Sequence, residues 1–155
     1  MQSPEIMPTL KVQKVMPYTQ EQMYALVADI EKYAQFLPYI KNGYKEVEID
    51  GQTSIWVLEC QWYGIGFSFS TKNSFQPNTF ITMQMHKGGL EVLIGRWDFI
   101  KISDAETDVV LHIEYALPNK ITWIPFQSSI DDIAQQMLDG FKKRAAECYG
   151  VKKER

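Results

Sequence analysis

Apolar and polar residues alternate over Lys45–Leu117 in short runs that turn residues separate. Because successive side chains of a strand point to opposite faces, a period of two predicts strands with one buried face. Asp50-Gly51 and Gly88-Gly89 are typical of the tight turns that join neighbouring strands. The pattern therefore predicts an antiparallel meander, and it leaves an apolar sheet face that another element must cover.

The last part of the chain is predicted to supply that cover. Apolar residues recur there at spacings of three and four, as on one side of a helix: Ile130, Ile133, Met137, Phe141, Ala145 and Cys148. Ser128 or Ser129 is predicted to cap the start of this helix, after an irregular approach marked by Pro118 and Pro125. Gly140, inside the helix, is interpreted either as a point of close approach by a strand or ligand or as a tolerated glycine.

The N-terminal part adds a strand and two helical segments. Thr9–Met16 alternates, and Thr19 with Gln22 has the form of a capping box that opens a helix. A second helical segment is predicted at Glu31–Phe36, since the residue before Pro38 avoids the helical region. This order of elements predicts an α+β helix-grip fold, in which a curved antiparallel sheet of six to seven strands wraps around the long C-terminal helix. We expect a flexible leader (1–7), one domain (8–150) and a basic tail (151–155).

The charge of the chain limits its partners. A net charge of −3 predicts no general attraction to nucleic acid or anionic lipid. The segment 140–155, however, contains six basic and two acidic residues. Two interpretations stay open: cations that complement the helix C-terminus and continue into a solvated tail, or a docking patch for ribosomal RNA or a membrane surface. The residues of that patch are Lys142, Lys143, Arg144, Lys152 and Lys153.

No residue pattern indicates catalysis or metal binding. Cys60 and Cys148 lack metal or redox spacing, and His86 and His112 lie on predicted outward strand faces. Catalytic and nucleotide-binding motifs are missing, as are a signal peptide and a run long enough to span a membrane. We therefore expect a soluble cytoplasmic binding protein that is not an enzyme and needs no metal or resident cofactor.

Three segments carry a resemblance to a known family. Val27–Tyr39 matches V-x-D-[VI]-x-x-Y-x-x-F-L-P-[WY], Leu93–Phe99 matches L-x-[GN]-x-W-x-F, and the last helix ends in Phe141–Ala145 (FKKRA). From about Pro8 to Tyr149 the chain resembles the coenzyme Q-binding START-domain family, whose relatives include polyketide cyclases. The resemblance implies a cavity for a hydrophobic ligand, with ubiquinone as the leading candidate. It is closest to the branch of bacterial ribosome association toxins known as RatA, which implies binding to the large ribosomal subunit as the alternative; a cyclase-like enzyme ranks last.

Aromatic and methionine side chains are expected to line the cavity between sheet and helix. They are Phe67, Phe69, Met83, Met85, Trp97, Met137 and Phe141. Flat rings and adaptable thioethers suit a quinone ring and its prenyl tail, whereas in the alternative interpretation they fill the space as an ordinary core. Access is expected to be gated near Gly43 or at the Gly64–Gly66 turn.

Overall fold

The computed structural model describes residues 9–62, 64–88, 92–116 and 123–151, and for Trp62 and residues 123–129 it describes the backbone alone. This part of the chain forms seven strands, two α-helices and one 3₁₀ helix. The strands are β1 (Thr9–Met16), β2 (Ile40–Glu48), β3 (Thr53–Trp62), β4 (Ile65–Gln76), β5 (Phe80–Gly88), β6 (Val92–Ser103) and β7 (Glu106–Ala116). The helices are α1 (Gln20–Ala28), the 3₁₀ helix (Ile30–Gln35) and α2 (Trp123–Tyr149). The predicted leader (1–7) and residues 152–155 of the tail lie outside the described residues.

The seven strands form one antiparallel sheet in the order β1-β7-β6-β5-β4-β3-β2. From β2 to β7 each strand pairs with the next one along the chain, which confirms the predicted meander. β1 instead pairs with β7 and so extends the sheet at its other end. Helix α2 packs on the sheet face that carries Trp97, which we call the inner face. The predicted helix-grip fold is therefore confirmed.

The turn between β2 and β3 is held by the aspartate that the sequence singles out. Asp50 Oδ1 accepts hydrogen bonds from the backbone amides of Gln52, at 2.8 Å, and Thr53, at 2.9 Å. These bonds, that from Gln52 foremost, hold the pKa of Asp50 below its usual value because they stabilise the charged carboxylate. The short polar side chain thus closes the turn locally, which is why this hairpin is predictable from sequence.

The predicted capping box opens α1. Thr19 Oγ1 accepts a hydrogen bond from the backbone amide of Gln22, and Gln22 Oε1 accepts one from the amide of Thr19. The second predicted helical segment is present as the 3₁₀ helix, displaced by one residue towards the N-terminus. Buried Tyr33 in this helix donates a hydrogen bond to the Val27 carbonyl, and burial raises the pKa of its phenol.

The core lies between the inner face and α2. Its buried sheet residues include Leu10, Val12, Trp97, Phe99, Val109 and Leu111, and α2 contributes Ala134, Leu138, Phe141 and Ala145. The prediction that Cys148 belongs to this stripe is wrong, because its side chain is exposed. Residues four apart lie on the same side of a helix. The next inward-facing residue after Ala145 is therefore Tyr149, which packs against Tyr18.

Helix α2 begins earlier than predicted. It starts at Trp123, five residues before Ser128, and therefore includes Pro125. The first four amides of a helix have no acceptor within the helix, so a proline at the third residue removes no hydrogen bond. The expected capping role of Ser128 or Ser129 is wrong for this reason, since both lie inside the helix.

Gly140 marks a close approach, as one of its two interpretations states. A Cβ atom at this position would lie 2.7 Å from Cδ2 of Leu37. Leu37 is 1% exposed and cannot swing out into solvent. The neighbour is therefore the segment that follows the 3₁₀ helix and belongs to the F-L-P motif, and it is neither a strand nor a ligand.

Candidate functional site

The predicted ligand-binding residues fall into three groups. Trp97 and Phe141 belong to the packed core: they are 3% and 0% exposed, and their rings meet edge to face with centroids 5.6 Å apart. Met83 and Met137 are partly buried and pack against that core. Phe67, Phe69 and Met85 lie nearer to solvent. Whether any of the seven contacts a ligand stays a prediction.

Phe67 and Phe69 lie at one end of the inner face, together with Cys60 and Ile65; we call these four residues the open end. The rings of Phe67 and Phe69 stack with centroids 6.4 Å apart and planes inclined by 15°. Cys60 is the β3 partner of Phe67 in the register. Ile65 is 70% exposed and Phe67 38%. Exposed apolar side chains that adjoin one another are typical of a binding site.

The Gly64–Gly66 segment borders the open end, but only Gly64 precedes β4, since Ile65 and Gly66 already pair with Trp62 and Gln61 of β3; a gate there stays a prediction. Gly64 has a φ of 78° and begins the chain reversal that leads into β4. The other predicted gate is wrong, because Gly43 lies within β2 and pairs with Leu58 of β3. Strand pairing leaves that stretch no freedom to open without breaking sheet hydrogen bonds.

Three buried polar residues of the inner face are not predicted by the apolar pattern of the sequence. Ser54, Thr71 and Asn73 are 5%, 6% and 3% exposed. Thr71 Oγ1 donates a hydrogen bond to Asn73 Oδ1 at 2.6 Å, and Trp56 Nε1 donates one to Ser54 Oγ at 2.8 Å. The sequence does contain a signal for Thr71 and Asn73, because the alternation of Phe67 and Phe69, extended along β4, places both residues on the same face.

Cys60 is shielded at the edge of the open end. Burial raises the pKa of its thiol to about 11, because desolvation penalises the thiolate. An unionised thiol is a poor nucleophile and a poor metal ligand. Within the described residues, no group of three or more His, Cys, Asp and Glu side chains is arranged to hold a metal ion. His86 and His112 are exposed, as predicted.

At pH 8 we expect iodoacetamide to modify Cys148 well before Cys60. Cys148 is exposed, whereas at a pKa of about 11 only about one Cys60 thiol in a thousand is ionised at pH 8. Peptide mass spectrometry after timed alkylation measures both rates, and the unfolded protein in guanidinium serves as the reference in which the two should react alike. Equal rates in the folded protein would contradict the burial of Cys60.

The basic residues at the end of α2 differ in their contacts. Arg144 lies over the Phe36 ring and donates hydrogen bonds to Gln35 at 2.8 Å and to Glu147 at 3.4 Å. Its guanidinium therefore fastens α2 to the 3₁₀ helix. Lys143 is exposed and Lys142 half-buried. The other predicted docking residues, Lys152 and Lys153, lie outside the described residues.

A surface cleft of about 340 Å³ adjoins this basic end. Lys142 and Lys143 border it on α2, and Tyr18 borders it on the segment before α1. The Tyr18 hydroxyl donates a hydrogen bond to the Gly150 carbonyl at 2.9 Å, which holds the end of α2 against that segment. Asp139 also lines the cleft, which thus combines two ammonium groups and one carboxylate with a fixed aromatic ring.

No helix in the described part of the chain is both long and apolar enough to cross a bilayer.

Comparison with known proteins places the chain in a family. Residues 16–142 match the family described as polyketide cyclase / dehydrase and lipid transport. The ribosome association toxin RatA of Escherichia coli strain K12 is 31% identical over 147 residues, which cover 95% of this chain and 92% of that protein. Among solved structures, a START superfamily protein from Mycobacterium smegmatis superposes with a TM-score of 0.75 at 15% identity, covering 90% of this chain and 98% of its own.

A second solved structure, that of the protein TTHA0849 from Thermus thermophilus, has a TM-score of 0.83 at 16% identity and covers 92% of this chain and 99% of its own. At these identities the two structures show the shared fold alone. The family match extends from the last residue of β1 into α2 and so includes strands β2 to β7 and most of the helix that the sheet grips. The chain therefore belongs to the polyketide cyclase / dehydrase and lipid transport family, with RatA among its relatives.

Proposed function

We propose that the chain binds a hydrophobic ligand between the inner face and α2, and that the ligand is a prenyl quinone such as ubiquinone. The observation that carries the proposal is the exposure of Phe67, which stacks on Phe69 at the open end. An aromatic pair left accessible on a face that otherwise packs as core favours an apolar ligand there. Membership of a lipid transport family supports the same function.

The ligand is expected to occupy the open end and not the whole space beneath α2. Phe141 contacts Trp97, Tyr33 and Phe36 at ring-centroid distances of 5.4 to 5.6 Å, so the region around it is filled by side chains. Phe69, Met83 and Met85 are only partly buried, and the thioether chains can adjust to a tail. The binding region is thus assigned to β3, β4 and β5.

Phe67→Asp is expected to remove the ligand while the protein stays folded. A carboxylate at the open end would be desolvated by an apolar ligand, and we expect the occupancy to fall by about tenfold or more. The measurement is organic extraction and mass spectrometry of protein purified from a quinone-producing host. Ile100→Asp is the matched control, because Ile100 is 51% exposed on the opposite sheet face. Equal occupancy in the two variants, or an empty wild-type protein, would count against the proposal.

We propose that the chain binds its ligand without catalysing a reaction, because two titratable groups of the inner face are poorly suited to acid–base catalysis. Cys60 and Tyr115 lie there, and burial raises the pKa of both, in Tyr115 with a smaller contribution from Asp131. Both shifts lead away from neutral pH, where a general acid or base works best. Turnover of a bound substrate that depends on either residue would contradict this proposal.

Ribosome association is the second candidate function. It is favoured by the 31% identity to the ribosome association toxin RatA over 95% of the chain. The exposed ammonium group of Lys143, beside Lys142 and the cleft, is a suitable contact for RNA phosphates. Arg144 is assigned to structure and not to docking, because its guanidinium already contacts Gln35, Phe36 and Glu147.

Reversing the charges of Lys142 and Lys143 to Glu is expected to abolish binding to large ribosomal subunits if this second function holds. Wild-type binding should then weaken about tenfold between 50 and 200 mM salt, as two phosphate contacts predict. Co-sedimentation with purified subunits measures both effects. Lys72→Glu, on the outward face of β4, is the matched control. Binding of the double variant as tight as that of the control would exclude this surface.

A further inference from the structure

The inner face carries a buried polar cluster, formed by Ser54, Thr71 and Asn73. Ser54 on β3 and Asn73 on β4 are direct partners in the register, and Thr71 lies two residues from Asn73 on the same side. All three are at least 94% buried, being 5%, 6% and 3% exposed. Apolar residues would fill these positions at lower cost, because a buried polar group without a partner costs about 1–3 kcal/mol.

Two hydrogen-bond donors of the cluster take no part in the hydrogen bonds within it. Asn73 Oδ1 accepts from Thr71 and Ser54 Oγ accepts from Trp56. Among the described residues, neither the amide nitrogen of Asn73 nor the hydroxyl hydrogen of Ser54 has an acceptor. Two unused donors on neighbouring strands complement a hydrogen-bond acceptor that comes from outside the chain.

The charge nearby indicates that this acceptor is neutral. Lys45 lies over the Trp56 ring, with Nζ 5.8 Å from the ring centroid, and its charge is already paired with Glu48 at 2.8 Å. A carboxylate or phosphate buried beside the cluster would need a cation of its own. A carbonyl or ether oxygen needs only the two donors.

An apolar row leads from solvent to the cluster. Every second residue of β4 points to the inner face, and along that row the exposed fraction falls from 70% at Ile65 to 38% at Phe67 and 3% at Asn73. Met85 and Met83 of β5 pair with Thr71 and Asn73, so thioethers flank the polar side chains. A molecule that enters at the open end with an oxygen-bearing head first would bring that oxygen to the cluster and leave its tail on the aromatic rings.

We propose that Asn73, Ser54 and Thr71 form the head-group site of the bound ligand, in which the Asn73 amide and the Ser54 hydroxyl donate hydrogen bonds to a neutral carbonyl oxygen of an amphipathic lipid. The inference rests on the proposed ligand-binding function and adds the polarity and direction of the ligand. Thr71 is a positioning residue, because its hydroxyl holds the oxygen of the Asn73 amide and thereby turns the amide nitrogen outwards.

The test compares two probes that differ in the head alone, decylubiquinone and decylbenzene. Binding to the full chain is measured by ultrafiltration followed by mass spectrometry of the retained probe. Asn73→Leu, which keeps the side-chain volume, is expected to lower the affinity for decylubiquinone about tenfold, the effect of one lost hydrogen bond, and to leave the affinity for decylbenzene within about twofold. Thr71→Val and Ser54→Ala should act in the same direction with smaller effects, and these single-atom changes serve if Asn73→Leu does not fold.

The outcomes separate this site from the proposed function. If the wild-type protein binds both probes and all three variants keep its affinity for decylubiquinone, the head-group site is wrong and the ligand-binding function stands. The same holds if a variant weakens both probes equally, because the cluster then acts on the structure alone. If the wild-type protein binds neither probe, the ligand-binding function fails and the head-group site fails with it.

Discussion

Replacing Phe141 by Ala is expected to lower the free energy of unfolding by about 3–5 kcal/mol, the range for removing a buried aromatic ring. The Phe141 side chain is 0% exposed and its ring meets those of Tyr33, Phe36 and Trp97 edge to face. It therefore joins α2, the 3₁₀ helix and β6 at one point. The loss removes contacts to all three elements, and the cavity left behind adds to the cost because the surrounding rings cannot collapse fully.

Urea denaturation of Phe141→Ala beside Phe67→Ala measures this effect. Phe67 is the same residue type but 38% exposed, so its truncation should cost about 1 kcal/mol or less. Similar losses in the two variants would contradict the division between a packed core and an open end. The same burial means that a charged residue at position 141 would unfold the protein, so ligand loss in such a variant would report folding and not binding.

Replacing Gly88 by Ala is expected to destabilise the protein by about 3 kcal/mol, from backbone strain and overpacking together. Gly88 has a φ of 131°, and a Cβ atom there would lie 2.4 Å from Cβ and 2.6 Å from Cα of Phe69. Neither atom belongs to the flexible end of a side chain. The cause is a β-bulge: Ser70 pairs with Lys87 but Thr71 with Met85, so β5 has one extra residue and Gly88 comes to lie opposite Phe69.

Gly51→Ala is the control for that measurement. No atom lies within 4 Å of the position that a Cβ of Gly51 would take, so the change should stay within about 0.5 kcal/mol. Thermal unfolding of the two variants is sufficient to compare them. If Gly88→Ala were as stable as Gly51→Ala, the bulge would have to relax, and the aromatic pair at the open end would no longer be held by it.

Local features were predictable where a residue acts on its immediate neighbours. The capping box of Thr19 and Gln22 and the Asp50 turn are both present, because each depends on hydrogen bonds that span three residues or fewer. The strand alternation likewise predicted the meander. The start of α2 is not predictable in this way, because proline is typical of a helix break, whereas Pro125 is the third residue of α2, where a missing amide removes no hydrogen bond.

The candidate site was only partly predictable. The sequence pattern predicts all of Phe67, Phe69, Trp97 and Phe141 as ligand contacts, because the first three point to the inner face and Phe141 lies on the apolar side of α2. Sequence periodicity assigns a face but not a depth, so it cannot separate rings that α2 covers from rings at the open end. Asn73 and Thr71 are not predictable from an apolar pattern, because they are polar residues at inward positions and interrupt it.

The sequence by itself determined the fold class and the order of the elements, because periods of two and of three to four residues are written into each segment. It also determined the start of α1 and the tight turn at Asp50. Only the tertiary structure decided which inward side chains are core and which form the open end, since burial depends on residues distant in the chain. The bulge that places Gly88 against Phe69, and the pairing that joins Ser54 to Asn73, arise from strand register, and register is set between strands and not within one.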